Sequence, residues 1–344
     1  MRKVLIIGAG QTGRGFIPQY LDSKSLITFV DKDRELVTQL NELGTYTIDY
    51  YGEKRASKII SSYKAYSMEA EFDVDDFDCI AISVGESNLP EVVDWIVRHF
   101  KDIPLLATFE NGTDTGGFLR NLFEVHGITA NIIPFAIFCT TNTVSLCDIM
   151  SEDITYLPYD ARTGTQDIFM PSIPIADFAQ FMERKIFTYN GLSAIIAYLG
   201  YLKGYTYLHE AANDPTINHK AHQYLDTLNQ ALAFYFKVPL EEQHEFAMNA
   251  FRKFSNTEIA DTIERNTRDV IRKLGPTERF IKPLNIMIDR NLHSNVLIET
   301  IAAALVYDSD IETDNAVHYL QTTSIDPEIK DEILDVYRRQ KIAR

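Results

Sequence analysis

Thirteen residues into the chain, one pattern already narrows the choice of fold. Gly8-Ala9-Gly10-Gln11-Thr12-Gly13 follows the β-branched run Lys3–Ile7 and opens a helical pattern over residues 11–21. A second strand pattern, residues 25–30, closes on Asp31. In this strand–turn–helix setting each glycine has a task. Gly8 allows the tight turn, Gly10 lets backbone approach a pyrophosphate, and Gly13 lets helix and strand pack closely. The helix N-terminus then offers free N–H groups and a positive dipole end to that anion. Residues Gly8, Ala9, Gly10, Gln11, Thr12 and Gly13 are therefore expected to cradle a dinucleotide. Asp31 is expected to accept from the ribose hydroxyls and to repel a 2′-phosphate, which favours NAD over NADP. Ser83-Val84-Gly85 ends another strand pattern, 79–84, and is expected on the same edge of the sheet, beside the cofactor.

The alternation continues through the first half. Strand patterns at 79–84, 104–109 and 131–138 are interleaved with helical ones at 34–43 and after Pro90. A Thr- and Tyr-rich stretch at 44–66, with a turn at Gly52, suggests a small antiparallel excursion. Strands alternating with helices mean a parallel sheet covered on both faces. Beyond residue 175 the pattern is almost wholly helical, with helices expected at 177–203, 215–236, 241–254, 276–289, 294–306 and 327–340. The fold expected is an α/β Rossmann-type nucleotide-binding domain, residues 1–175, followed by a mostly α-helical domain, residues 176–344, that carries the substrate and catalytic groups. A cleft between two such domains is a common place for a pocket.

Composition removes other classes of function. Lys and Arg number 33 against 49 Asp and Glu, a net charge of −16. That balance argues against nucleic acid and anionic membranes as partners, and leaves a small molecule. No uncharged apolar run approaches the ~18 residues of a membrane span. Three cysteines, Cys79, Cys139 and Cys147, form no C-x-x-C, so a reducing, cytoplasmic setting is expected. His219 and His222 lack the companions of a zinc site, so no metal is expected. The pattern says nothing of oligomeric state.

Hydride transfer without a metal needs a group that takes the hydroxyl proton. A lysine serves when burial lowers its pKa toward neutrality. Lys185 is such a candidate, because Asn190 and Ser193 fall with it inside an arc of about 140° on an ideal helix.

Six blocks carry a resemblance. They are G-A-G-Q-T-G-R-G-F at residues 8–16 and F-E-N at 109–111, then E-R-K-I-F-T-Y-N at 183–190 with A-I-I-A-Y-L-G-Y-L-K-G at 194–204. R-K-L-G-P-T-E-R-F-I-K-P at 272–283 and L-I-E-T-I-A-A-A-L at 297–305 complete the set. In this order they resemble the polyol-specific long-chain dehydrogenase/reductases. The resemblance implies a metal-independent, NAD-dependent dehydrogenase that interconverts a polyol phosphate, such as mannitol 1-phosphate, and a ketose phosphate, such as fructose 6-phosphate. It aligns Lys185 with the acid/base lysine and Asn190 and Asn111 with amides that bind the reacting oxygen. It aligns Arg279 and Lys282 with basic residues near the substrate. Two positions depart from the family. Ser193 stands where it has a histidine, and Phe138-Cys139-Thr140-Thr141-Asn142 stands where it has an Asp-Arg pair. Those departures leave two alternatives: a dehydrogenase of an unphosphorylated polyol or hexuronate, and a catalytically silent NAD-binding protein.

Overall fold

The computed structural model describes residues 1–343 apart from residues 54 and 75. Its contacts divide the chain into two compact units, Met1–Met182 and Glu183–Arg344. The sequence pattern alone changes character near residue 175; the division falls seven residues later, inside a helix.

The first unit is built on six parallel strands. These are β1 (Lys3–Ile7), β2 (Leu26–Asp31), β5 (Tyr63–Ser67), β6 (Cys79–Ile82), β7 (Leu105–Thr108) and β8 (Ile132–Pro134), in the spatial order β5-β2-β1-β6-β7-β8. Counted within this sheet alone the order is 3-2-1-4-5-6, that of a dinucleotide-binding fold, with the order reversing between β1 and β6. The expected Rossmann-type fold is borne out.

Period-two burial sends alternate side chains to opposite faces. Leu5, Ile7, Ile80 and Ile82 pack on one face with Val92, Trp95, Leu119 and Phe123 from α3 (Leu89–His99) and α4 (Thr115–Val125). Val4, Ile6, Cys79 and Ala81 pack on the other with Phe16, Leu40, Phe109 and Phe135. Helix α1 (Gln11–Gly15) is shorter than the pattern suggests, and a 3₁₀ turn, Ile17–Tyr20, carries on from it. Pro18 has no N–H for an α ladder there. Helix α2 (Arg34–Leu43) has the expected bounds, with Asp33 capping its first N–H groups and Gly44 ending it in the left-handed region.

The antiparallel excursion is there but larger than expected. Strands β3 (Tyr46–Tyr50) and β4 (Lys58–Ile60) pair antiparallel, and β9 (Thr141–Ser145) and β10 (Asp148–Ser151) extend them to a four-stranded sheet. The last stretch of the expected excursion, β5, belongs to the main sheet. A two-stranded ribbon, β11 (Pro158–Asp160) with β12 (Ile173–Ile175), completes the unit.

Helix α5 (Phe178–Lys185) crosses the division. The second unit continues with a π-helical turn, Ile186–Asn190, and α6 (Gly191–Lys203). It adds α7 (Leu208–Asn213), α8 (Pro215–Phe236), α9 (Leu240–Ser255), α10 (Ile263–Thr267) and α11 (Val270–Lys273). Last come α12 (Ile281–Ile288), α13 (Asn295–Ile311), α14 (Ala316–Thr322) and α15 (Pro327–Ala343). Residues 191–200 of α6 are buried on every side, as fits a central helix. The mostly helical second half is borne out. The helix expected from residue 276 starts at Ile281, with Pro283 rather than Pro276 in its first turn. None of the helices among the described residues is long and apolar enough to cross a membrane.

Candidate active site

The glycine-rich turn leaves β1 where the strand order reverses. Gly8 has φ +94° and donates its N–H to Val30 O at 2.8 Å. A Cβ on Gly8 would lie 2.0 Å from Ser83 O, and one on Gly13 would lie 1.8 Å from Gly8 O. At Gly10 nothing lies within 4 Å of that position, so open space remains above the backbone. Asp31 ends β2 and braces the turn. Its Oδ2 accepts from Ala9 N–H at 2.6 Å and its Oδ1 from Asp33 N–H at 2.9 Å. Each oxygen keeps a further lone pair for a hydroxyl. Arg14 is buried and pairs locally, donating to Ala9 O, Cys147 O and Thr143 Oγ1. It ties the turn to the four-stranded sheet.

Ser83, Val84 and Gly85 lie beside this turn. Their backbone is held by Glu110, whose Oε1 accepts from Val84 N–H at 2.6 Å and Gly85 N–H at 3.0 Å. Burial pushes the Glu110 carboxyl up from its usual range, and the two N–H groups oppose that. Asn111 follows it, exposed, three residues past the end of β7. Glu110 was not among the residues expected to matter. The signal was its place: an acidic side chain directly after a buried strand.

In the second unit, Lys185 ends α5 and is 3% exposed. Its amine is pushed down to about 7, first by burial and then by the positive charges of Arg279 and Lys253, with Glu278 opposing. The π turn begins at the next residue, and Gly191 N–H reaches back five residues to Ile186 O. A π turn inserts one residue into the helix. Residues five apart across it sit about as neighbours four apart do on an α-helix. Asn190 therefore lies closer to the azimuth of Lys185 than an ideal helix would place it. Ser193 is 7% exposed and donates its hydroxyl to Asn190 O at 3.2 Å. Gly191 has no room for a Cβ, which would meet Tyr224 Oη at 2.9 Å.

Arg279 is buried, close enough to Lys185 to depress its pKa. Among the described residues its guanidinium bonds only to Glu278, through Nε at 3.0 Å. Its two terminal nitrogens are thus left for another acceptor. Burial lowers Arg279, while Glu278 supports its charge. Lys282 is elsewhere. Its Nζ stands 5.6 Å from the ring centroid of Tyr235, in a surface pocket of about 1040 Å³ shared with Phe234, Lys237 and Arg290. Neither Lys185 nor Arg279 lines that pocket. Among the described residues no cluster of three His, Cys, Asp or Glu could hold a metal ion.

Comparison with known proteins joins these observations. Residues 177–342 match the family model of the mannitol dehydrogenase C-terminal domain. The match spans most of the second unit. The mannitol-1-phosphate 5-dehydrogenase of Shouchella clausii is 27% identical over 329 residues, covering 88% of each chain. That of Thermoanaerobacter pseudethanolicus is 28% identical over 341 residues, covering 90% of this chain and 86% of its own. Among solved structures, mannitol 2-dehydrogenase of Pseudomonas fluorescens, in ternary complex with NAD and D-mannitol, superposes with a TM-score of 0.78. It is 15% identical and is matched over 99% of this chain and 91% of its own. A substrate-free D-sorbitol dehydrogenase superposes with a TM-score of 0.70 at 13% identity, over 97% and 92%. The resemblance drawn from the sequence is borne out, and with it the enzyme class, an oxidoreductase. Lys185, Asn190, Ser193 and Arg279 all lie within the matched residues 177–342.

Proposed function

We propose that this protein is an NAD-dependent polyol dehydrogenase that oxidises a hexitol phosphate, such as mannitol 1-phosphate, to the ketose phosphate and catalyses the reverse reduction. The observation that carries this reading is the Lys185 amine, buried and held near neutrality beside Asn190. A general base works best when its pKa lies near the operating pH.

The residues of the first unit fit the cofactor. The open space over Gly10, the tight packing around Gly8 and Gly13, and the accepting carboxylate of Asp31 are what a dinucleotide requires. Gly8 to Gly13 would hold the pyrophosphate, Asp31 a ribose, and Ser83 to Gly85 the stretch beyond. When bound, NAD supplies the hydride acceptor. All other steps belong to the chain. Neutral Lys185 accepts the hydroxyl proton as the alcohol carbon is oxidised; in reduction, its ammonium returns that proton. Asn190 donates an amide N–H to the reacting oxygen and stabilises its alkoxide character. The resemblance gives Asn111 the same role. Arg279 binds the substrate's anionic or hydroxyl groups through its terminal nitrogens. Ser193 can donate a hydrogen bond but cannot titrate near neutrality, so the proton stays with Lys185. No step calls for a metal.

The test is purified protein with NAD and matched panels of hexitol phosphates, hexitols and hexuronates. NADH formation with a hexitol phosphate at a kcat/KM at least tenfold above the parent hexitol is the expected result. The placement of Lys282 favours one other reading, an unphosphorylated polyol as substrate, since Arg279 is then the only one of the two expected cations beside Lys185. A higher kcat/KM for the free hexitol would replace the phosphate reading with that one.

A further inference from the structure

The π turn between Lys185 and Asn190 departs from regular helix, and something must hold it. A single buried side chain grips it on both sides. Gln243, in the first turn of α9, is fully buried. Its Oε1 accepts from Arg184 Nε at 2.8 Å, and Arg184 directly precedes Lys185. Its Nε2 donates to Thr188 Oγ1 at 3.1 Å, in the middle of the π turn. The second Nε2 hydrogen goes to Asn229 Oδ1 at 3.2 Å, on α8. Arginine only donates, so the Arg184 bond fixes which end of the amide is oxygen. Arg184 is braced further by Glu242, at 2.6 Å, and by the ring of Phe246, 4.6 Å from its guanidinium carbon.

We infer that Gln243 is a positioning residue for the proposed dehydrogenase reaction, clamping Arg184 and Thr188 so that Lys185 and Asn190 keep one register. It touches no substrate. It acts because only an amide can accept from Arg184 and donate to both Thr188 and Asn229 in this place. Leucine in its place would fill much of the volume and leave three groups, Arg184 Nε, Thr188 Oγ1 and Asn229 Oδ1, short of a partner. The π turn would then have no lateral tie at Thr188, and the cheapest relaxation is return to α geometry, which swings Asn190 away from Lys185 by about one residue's rotation. This inference rests on the proposed function for its kinetic readout and on Lys185 alone for its spectroscopic one.

The experiment compares Gln243→Leu, Thr188→Val and Thr188→Ser in the full chain. Thr188→Val is nearly isosteric and cuts only the link to the π turn, so it serves even where Gln243→Leu folds poorly. Thr188→Ser keeps the hydroxyl. In each variant that melts cooperatively, kcat and KM for the best polyol are measured per folded molecule, with NAD affinity by titration. The Lys185 amine is followed by NMR in [¹³C]lysine-labelled protein, with Lys185→Met to assign it. For Gln243→Leu and Thr188→Val the expectation is a kcat lower by about 10- to 100-fold, NAD affinity within twofold, and a Lys185 titration moved upward by at least half a pH unit. Thr188→Ser should return kcat to within threefold of the parent. Activity lost only in proportion to lost folded protein, or a kcat and Lys185 titration unchanged in folded Thr188→Val, overturns the inference. If the parent turns over no polyol, the proposed function fails by itself. The clamp is then judged by the titration: an upward shift in Thr188→Val upholds it and no shift overturns it.

Discussion

Two lysines of the second unit, Lys185 and Lys273, are both 3% exposed, and both have an amine pushed below its usual range by burial and by Arg279. The Lys273 amine is held by the backbone carbonyls of Asn266 and Arg268 and by Tyr198 Oη. Those oxygens take up its three N–H bonds and join the end of α10 to α11 and α6. Lys185 is set between charges, Arg279 and Lys253 against Glu278, and leads into the π turn. Burial depresses an amine in either place. Whether the amine then staples backbone or exchanges a proton depends on what its N–H groups face.

Replacing each lysine by methionine should separate the two roles most sharply. Lys185→Met should lower kcat by about 10²- to 10⁴-fold, the usual worth of a general acid/base, with NAD affinity kept. It should also leave the protein as stable as before or more so, by roughly 1–3 kcal/mol at pH 7, because a buried amine that resists charging has gone. Lys273→Met should do the reverse. It strands buried carbonyls at a cost of about 2 kcal/mol, read as a lower midpoint in urea, while kcat per folded molecule stays within about threefold. A Lys273→Met enzyme that is stable and inactive would exchange the two assignments.

The pH profiles carry the same contrast. With the amine at about 7, the proposed oxidation needs neutral Lys185, so its rate should climb with unit slope below pH 7 and level off above. Reduction needs the ammonium, so its rate should fall over the same range. The folded chain gives up this proton near 7 and the unfolded chain near 10.5. Between those values the unfolded chain holds more protons, so the Lys185 contribution to stability improves as pH rises. Urea denaturation at several pH values should show that slope reduced by about one proton in Lys185→Met. Identical slopes would mean that Lys185 titrates normally when folded.

Much of the first unit was legible because its signals are local. Gly8, Gly10, Gly13 and Asp31 sit within one β–α–β stretch, and the structure keeps that spacing as contact, Ala9 N–H on Asp31. What the sequence left dark is long-range or brief. The pairing of β3 with β10 joins residues 101 apart, and no local pattern announces it. Helices α7, α10, α11 and α14, of four to seven residues, are too short to show a periodicity. At the site, Lys185, Asn190 and Ser193 were visible as neighbours on a helix, but the π turn that re-phases them was not. What holds it is tertiary, Gln243 on Thr188. Lys282 and Arg279, three residues apart, read as a pair, yet one is on the ring of Tyr235 and the other near Lys185.

That last separation gives the two smaller predictions. Arg279 depresses both lysines, and among the described residues its two terminal nitrogens make no bond. Arg279→Gln should raise KM for the polyol by about tenfold or more, as expected for loss of a charge-assisted bond. It should also move the rising limb of the oxidation profile to higher pH, because a cation beside Lys185 has been removed. Lys282→Met should do neither. Its amine lies over Tyr235, and an exposed cation–π contact is worth only about 0.5–1 kcal/mol. The expected change is a small loss of stability, with kcat and KM within twofold. The measurement is KM for a hexitol phosphate and for the parent hexitol in both variants. If Lys282→Met raises KM for the phosphate alone, the phosphate is read at the Tyr235 pocket, and the basic residue that serves Lys185 is not the one that selects substrate.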